Sequence, residues 1–437
     1  MRTKKIVLMA AVLWALVSPA LTAGGSRETP GAKPVQLTFW AGSAYYNSEE
    51  AKRPQSEWAI TKIVKRFEER NPGITVDVTP VELNSETIAK FKAAAIAKNG
   101  PDVMELWTGS YIFPLKDVLL PLNDLIPPED REAISGWDAV TYNFTPGGEI
   151  LGYPCGNNYA GLVYNKALIR AAGMDWDKNP PKTTEEFREA LRKIKPTGVV
   201  PFGFDGSKGR ILHYATIYWW VEESGYERLV TNADGRTKYE NDQGFLNLLT
   251  YMQSLFAEGL TNADAMSSTD YETKFSSGKY AVTVGGVNNA RAFEQVLGPD
   301  NFGFLPFPQM SANPKVKASI IGGAGNCASI GNYTKHPREA VKFLSFLASK
   351  PSFIELTKSV TTFPARKDVS LEDLGWTSDP FRKKIYELAR NFAFWVDNSI
   401  PAYQYDEMKR FFPNVLTGKL SPADFARQMD KLVQEKK

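Results

Sequence analysis

Three consecutive polar side chains, Asn157, Asn158 and Tyr159, interrupt an otherwise apolar run, EILGYPCGNNYAGLVYNK, between Glu149 and Lys166. The run follows a Gly147-Gly148 turn and ends at Tyr164-Asn165-Lys166, where a helix begins, so it reads as a buried strand. Amides and a phenol in such a strand cost roughly 1–3 kcal/mol each unless something hydrogen-bonds them. Neighbouring backbone or a ligand would serve. Flat apolar rings are the second chemical resource. Trp40 and Tyr45 follow the first expected strand, and Trp107 follows the strand Val103–Leu106. The carboxyl ends of strands are where open α/β sheets hold ligands.

Other chemistries find less support. The only two histidines, His213 and His336, are far apart and have no Cys or carboxylate at ligand spacing, so no metal site is expected. Neither GxSxG nor GxxxxGK[ST] occurs. Gly323–Ala328 satisfies a loose GxGxxG/A pattern, but Gly331, Asn332 and Pro337 follow it where a helix should open. No cofactor is expected. Glu105, Glu222 and Glu223 lie near aromatic stretches and could pair as glycosidase acids, yet each also reads as a solvated surface acid.

Arg2, Lys4 and Lys5 precede an apolar run from Ile6 to Val17, followed by small residues up to Gly24. That order is expected of a signal peptide over residues 1–23. The run is too short for a membrane span, which needs about 20 residues. No Cys follows to carry a lipid anchor, so a periplasmic or extracellular product is expected. Removing residues 1–23 takes the formal charge from +3 to zero, which argues against a nucleic-acid partner. Residues 24–34 read as a flexible leader. The remaining length suffices for two or three substantial cores. The two cysteines, Cys155 and Cys327, are too few for a disulfide framework.

The elements that must position these residues alternate. Val35–Trp40 is an expected strand; Trp58–Arg70 is a helix with Ile60, Ile63, Val64 and Phe67 on one face; Ile74, Val76 and Val78 alternate as the next strand. Ser85 is expected to cap a helix carrying Ile88, Phe91 and Ala95, and Val103–Leu106 follows as strand. This β-α-β-α-β series predicts an α/β fold with a largely parallel sheet. Later, Thr183 and Glu186 form a capping box, Phe245–Ala257 is a helix and Tyr280–Val284 a strand. Pro337 and Ser421-Pro422 open two further helices.

In this order the segments resemble the family 1 extracellular solute-binding proteins of ABC transporters. The resemblance rests on LTFW, KRFEERNPGITVDV, AAIAKNGPDVMEL, LLPLNDLI, GYP…VYNKALIRAAGMD, FSSGKYAVTVGG, FGFLPFP, HPREAVKFLSFLAS, FPARKDV and LTGKLSPADF. It implies two α/β lobes, a ligand cleft between them and three chain crossings, near Pro154–Asn158, Ile320–Asn326 and residues 361–364. The N-terminal lobe would comprise 35–154 plus 326–361, and the C-terminal lobe 155–325 plus 362–437. It further implies a non-enzymatic monomer that closes around a sugar and is read by membrane permease subunits. Glycerol phosphate or a polyamine is the alternative ligand, and a secreted glycosidase a more distant reading.

The same resemblance carries site residues. Asn158 falls at a hinge-strand position that often contacts sugar in the family, with an amide where the maltose-binding member has a carboxylate. Tyr214 or Trp219 would supply one stacking ring and Tyr405 another. After the Gly285-Gly286 turn the family often has Trp, whereas Val287-Asn288-Asn289 stand here. Gly286, Asn288 and Asn326 would then line the site with polar contacts. Trp40, Tyr45 and Trp107 complete the expected set. Arg366 is expected to form a salt bridge between the lobes or face solvent, with pairing to an acidic sugar as the alternative. Cys155 and Cys327 would lie on neighbouring hinge strands, either as free thiols or as one disulfide.

Overall fold

Burial alternates along residues 35 to 41, and the buried set Leu37, Phe39 and Ala41 fixes which face of the first strand meets the core. A computed structural model describes residues 34–205, 217–318, 320–360 and 362–436 of the chain. The expected signal peptide, all but the last residue of the leader and Tyr214 lie outside them.

Nine strands form one sheet: β1 (Val35–Ala41), β2 (Ile74–Pro80), β3 (Val103–Trp107), β4 (Tyr153–Asn165), β5 (Val200–Phe202), β6 (Tyr280–Gly286), β7 (Phe302–Leu305), β8 (Ile320–Ile330) and β9 (Phe392–Phe394). Their order is β2-β1-β3-β8-β4-β6-β5, with β7 beside β4 and β9 beside β8. β1 pairs parallel with β2 and β3, and β5 with β6, as crossover helices require. The centre departs from the expected parallel sheet. β3 with β8, β8 with β4 and β4 with β6 are all antiparallel. The long strands β4 and β8 run through the middle in opposite directions and join the two parallel ends into one mixed sheet.

Local signals account for the helices. Ala59–Arg70 buries Ile60, Ile63, Val64 and Phe67, and the Ala59 N–H donates to the Glu50 carboxylate at 2.9 Å where Trp58 offers no cap. The next helix, Ser85–Ile96, is capped by Asn84, whose side chain accepts from the Thr87 N–H; Ser85 is its first residue rather than its cap. The Thr183–Glu186 capping box is present before Thr184–Ile194. Pro337 opens Pro337–Leu347, and Ser421 caps Pro422–Glu435.

The apolar interior is divided. One cluster gathers residues from Leu37 to Tyr153, with Cys327–Ile330 and part of 340–365. Two others gather residues from Tyr159 onward, including Ile320, Ile321, Phe363 and the C-terminal helices. β4 begins in the first cluster and continues into the others, and β8 runs the opposite way. Two lobes therefore share one sheet, with a cleft where β4 and β8 pass between them.

Candidate functional site

The cleft has a volume of about 330 Å³. Its floor is the β4–β8 ladder, where Asn158 pairs with Gly323. The first lobe contributes Trp107, at the end of β3, and Tyr111 from the turn that follows. Their rings meet edge to face with centroids 4.9 Å apart. Gly286 and Asn288 enter from the end of β6, and Asn326 from β8 opposite Trp107. Trp395, Asp397 and Asn398 follow β9, while Tyr405, Asp406 and Lys409 come from the helix Ala402–Leu416.

The chain is shaped locally to bring these groups together. A Cβ on Gly286 would stand 1.9 Å from the Tyr159 carbonyl oxygen, so only glycine lets β6 lie this close to β4. Gly109, at φ +62°, turns the chain after β3, and a Cβ there would meet the Asn398 carbonyl at 2.1 Å. That approach lets the Ser110 N–H donate to the Asn398 carbonyl at 2.7 Å, while Asn398 Nδ2 donates to Thr108 Oγ1 at 2.9 Å. Thr108 in turn donates to the Ala324 carbonyl at 2.7 Å. Trp395 is tethered by its indole N–H, which donates to the Gly323 carbonyl at 3.2 Å.

The electrostatics favour neutral hydrogen bonding. Burial, with Asp397 and Asp406 nearby, pushes the Tyr111 phenol far above its ordinary pKa, so it remains a donor. Lys409 is ion-paired to Asp406 at 2.7 Å and lies 4.8 Å above the Tyr405 ring. No arginine lines the cleft among the described residues. The Asn158 side-chain oxygen is buried and accepts no hydrogen bond from the protein. A buried acceptor without a protein partner, on a residue that lines a cleft, suits a ligand hydroxyl.

Of the residues singled out in the sequence, Trp107, Asn158, Gly286, Asn288, Asn326 and Tyr405 line this cleft. Three others do not. Trp40 lies inside β1, which runs one residue further than expected, and packs against the first core. Tyr45 is 3% exposed, sets its ring edge-on to Phe39 and places its hydroxyl 3.0 Å from Cys155 Sγ. Trp219 is fully buried in the helix Ile217–Ala233, where its indole donates to the Pro308 carbonyl at 2.7 Å. The position the resemblance suggested for a stacking ring is therefore, at Trp219, a helix turn within the second core. Glu105, Glu222 and Glu223 are likewise absent from the cleft lining. Both cysteines are free thiols. Arg366 forms a two-point pair with Asp368, at 2.8 and 2.9 Å, behind the sheet.

Sequence reasoning missed Tyr111, Trp395, Asp397 and Asn398. FAFWVDN did carry the signal already used for Trp107: a short aromatic strand followed at its carboxyl end by a ring and polar groups.

A two-lobed α/β protein with an aromatic- and amide-lined cleft at its waist is the architecture of a solute receptor. The family model for bacterial extracellular solute-binding proteins matches residues 62–384, and the chain belongs to that family. It is 24% identical over 364 residues to a multiple sugar-binding protein of Streptococcus mutans, with 79% of each chain covered. It is 26% identical over 201 residues to an sn-glycerol-3-phosphate-binding periplasmic protein of Brucella abortus, with 43% of each covered. The fold matches a solved chitin oligosaccharide binding protein with a TM-score of 0.76 at 22% identity, covering 92% of this chain and 98% of that one.

Proposed function

We propose that the protein captures a short, uncharged sugar in this cleft and delivers it to the permease of an ABC importer. The observation that carries the reading is the lining itself: five aromatic residues, Trp107, Tyr111, Tyr159, Trp395 and Tyr405, stand with five asparagines and no guanidinium. Rings cover the C–H faces of a pyranose, and amides both donate to and accept from its hydroxyls. A phosphate would call for arginine forks or several ammonium groups. The single lysine here is already paired with Asp406, which disfavours the glycerol phosphate reading. The volume lies near the lower end of the roughly 300–1,000 Å³ usual for ligand pockets, which fits one or two sugar rings.

Mechanism follows from the two lobes. A ligand that touches Trp107 on one wall and Trp395 or Tyr405 on the other makes its full set of contacts only when the lobes are together, so it favours that arrangement. β4 and β8, which run through both lobes, are the segments that would flex. In this reading the protein is exported by its signal peptide, works as a monomer outside the cytoplasmic membrane and turns nothing over. Supporting this, the Streptococcus mutans relative is a sugar-binding protein and the chitin oligosaccharide binding protein shares the fold.

The test is thermal unfolding of the purified protein against mono- and disaccharides, glycerol 3-phosphate and spermidine. A ligand at 100 times its dissociation constant stabilises by about 2.7 kcal/mol, a shift of several degrees. A shift with one sugar class and no release of hydrolysed product supports the reading. A shift with glycerol 3-phosphate or spermidine alone, or hydrolysis of the sugar, overturns it.

A further inference from the structure

Beneath the cleft lies a carboxyl group that touches no solvent. Glu105, on β3, is fully buried and accepts from the backbone N–H groups of Gly42 (2.8 Å) and Ala44 (3.1 Å) and from Asn326 Nδ2 (2.7 Å). All three partners are N–H donors. The titratable groups facing it are the phenols of Tyr45 and Tyr46 after β1 and the thiols of Cys155 on β4 and Cys327 on β8. No cation is among its electrostatic partners.

We infer that Glu105 is a positioning residue for the ligand site: by accepting from Nδ2 it pins the Asn326 amide in one orientation, and on protonation it releases that amide. The inference rests on the reading of this cleft as the ligand site. The chemistry is donor–acceptor matching. An ionised Glu105 has acceptor capacity for all three N–H groups. A protonated one places its own O–H against one of them, and the Asn326 amide is the only partner free to turn. Turning by half a rotation offers its oxygen to the new O–H and reverses which atom faces the cleft. Burial raises the Glu105 pKa to about 7, so the change falls within ordinary working pH. Relative to the sugar, an acceptor and a donor exchange places at one position.

Two readouts test this on the full mature protein. Without ligand, tryptophan fluorescence is followed from about pH 5.5 to 8.5; Trp107 is paired with Asn326 across the strands and reports the amide. A transition near pH 7 is expected, and Glu105→Gln should abolish it, because a glutamine amide already presents a donor at every pH. With the sugar giving the largest thermal shift, affinity should fall by about three- to tenfold as pH drops through 7, the worth of one hydrogen bond. Glu105→Gln should hold the weaker value throughout. Should Glu105→Gln fail to fold, Asn326→Ala decides, since it keeps the carboxyl and removes the amide: the pH dependence of affinity should vanish. The same pH profile in wild type and in whichever variant folds overturns the inference. Because the fluorescence arm needs no ligand, a failure of the sugar assignment is distinguishable from a failure of this one.

Discussion

The β4–β8 ladder separates two cavities of similar size and opposite chemistry. In front is the cleft of about 330 Å³, with rings, amides and more carboxylates than ammonium groups. Behind is a cavity of about 250 Å³ lined by Arg366, Lys367 and Arg390 beside Asn157 and Tyr386. Adjacent residues of one strand divide between them: Asn158 lines the front and Asn157 the back. A strand's period of two makes that division, so a one-residue step decides which chemistry an amide joins. Only the front amide has a buried oxygen without a protein partner. Asn157 donates, at 3.4 and 3.5 Å, to Ser135 Oγ and the Pro364 carbonyl, and its backbone pairs twice with Phe363. The contrast leaves one amide oxygen open to a partner from outside the protein and the other amide satisfied within it.

The largest effect should come from a front-wall ring. Trp395→Ala is expected to weaken binding of the sugar by roughly thirtyfold or more in calorimetric titration, the scale of a buried aromatic hot spot. Trp395 also packs within the second core, so Trp395→Phe is the companion that keeps the ring and the fold. A Trp395→Ala variant that folds and binds within twofold of wild type would remove this wall from the site.

Asn158→Ala should weaken binding by about tenfold, one ligand hydrogen bond. Asn157→Ala, one residue away, should leave affinity within twofold and lower the melting midpoint slightly. Equal effects of the two substitutions would break the front–back distinction.

How much of this was legible before the structure depends on where each residue's partner lies in the chain. Asn158 was legible because its neighbours are local: a polar triplet in an apolar run announces itself. Trp107 was legible because a strand end is a local event. Tyr45 and Trp40 show where that rule stops. β1 extends to Ala41, so Trp40 is within the strand, and Tyr45 turns inward onto Phe39 and Cys155, the latter 110 residues away in sequence. Trp219 and Trp395 have the same side chain, but Trp219 meets Pro308 and Tyr251 inside the core, whereas Trp395 is set at the cleft by a β9–β8 pairing across about 70 residues. Long-range pairings of this kind leave no periodic trace. The antiparallel centre of the sheet was hidden for the same reason, since β4 and β8 meet only through tertiary structure.

A buried acid that lines neither cavity is the control for pH effects. Glu222, on the helix Ile217–Ala233, accepts from the Met310 N–H at 3.1 Å, and its other oxygen is buried without a partner. Burial, with a smaller contribution from Glu223, raises its pKa from 4.5 to about 7. The folded protein therefore holds a proton that the unfolded chain releases between these values, and stability falls as pH rises through that window. Glu222→Gln should melt higher than wild type at pH 8, by roughly 2–4 °C, with the gap closing near pH 5. A gap independent of pH would mean that the carboxyl does not titrate there. Unlike Glu105→Gln, this substitution should leave the pH profile of sugar binding unchanged.

The smallest effect, and the sharpest test of the comparison, concerns the back cations. Lys367 donates to the Glu132 carbonyl at 2.9 Å in the first lobe, while Arg390 follows the helix Pro380–Leu388 in the second. Both are exposed, and solvent screens charges over about 8 Å at physiological salt. If the two faces are independent, the double substitution Lys367→Ala/Arg390→Ala should change sugar affinity by less than about twofold at low and high salt alike. The walls of the back cavity nevertheless belong to different lobes, so drawing them together or apart would turn the lobes about β4 and β8 and reshape the front. A change of tenfold or more, present at high salt as well, would therefore report mechanical coupling through the ladder rather than electrostatics. The β4–β8 ladder would then be a lever, and the chemistry of the back face would belong to the binding mechanism of the front.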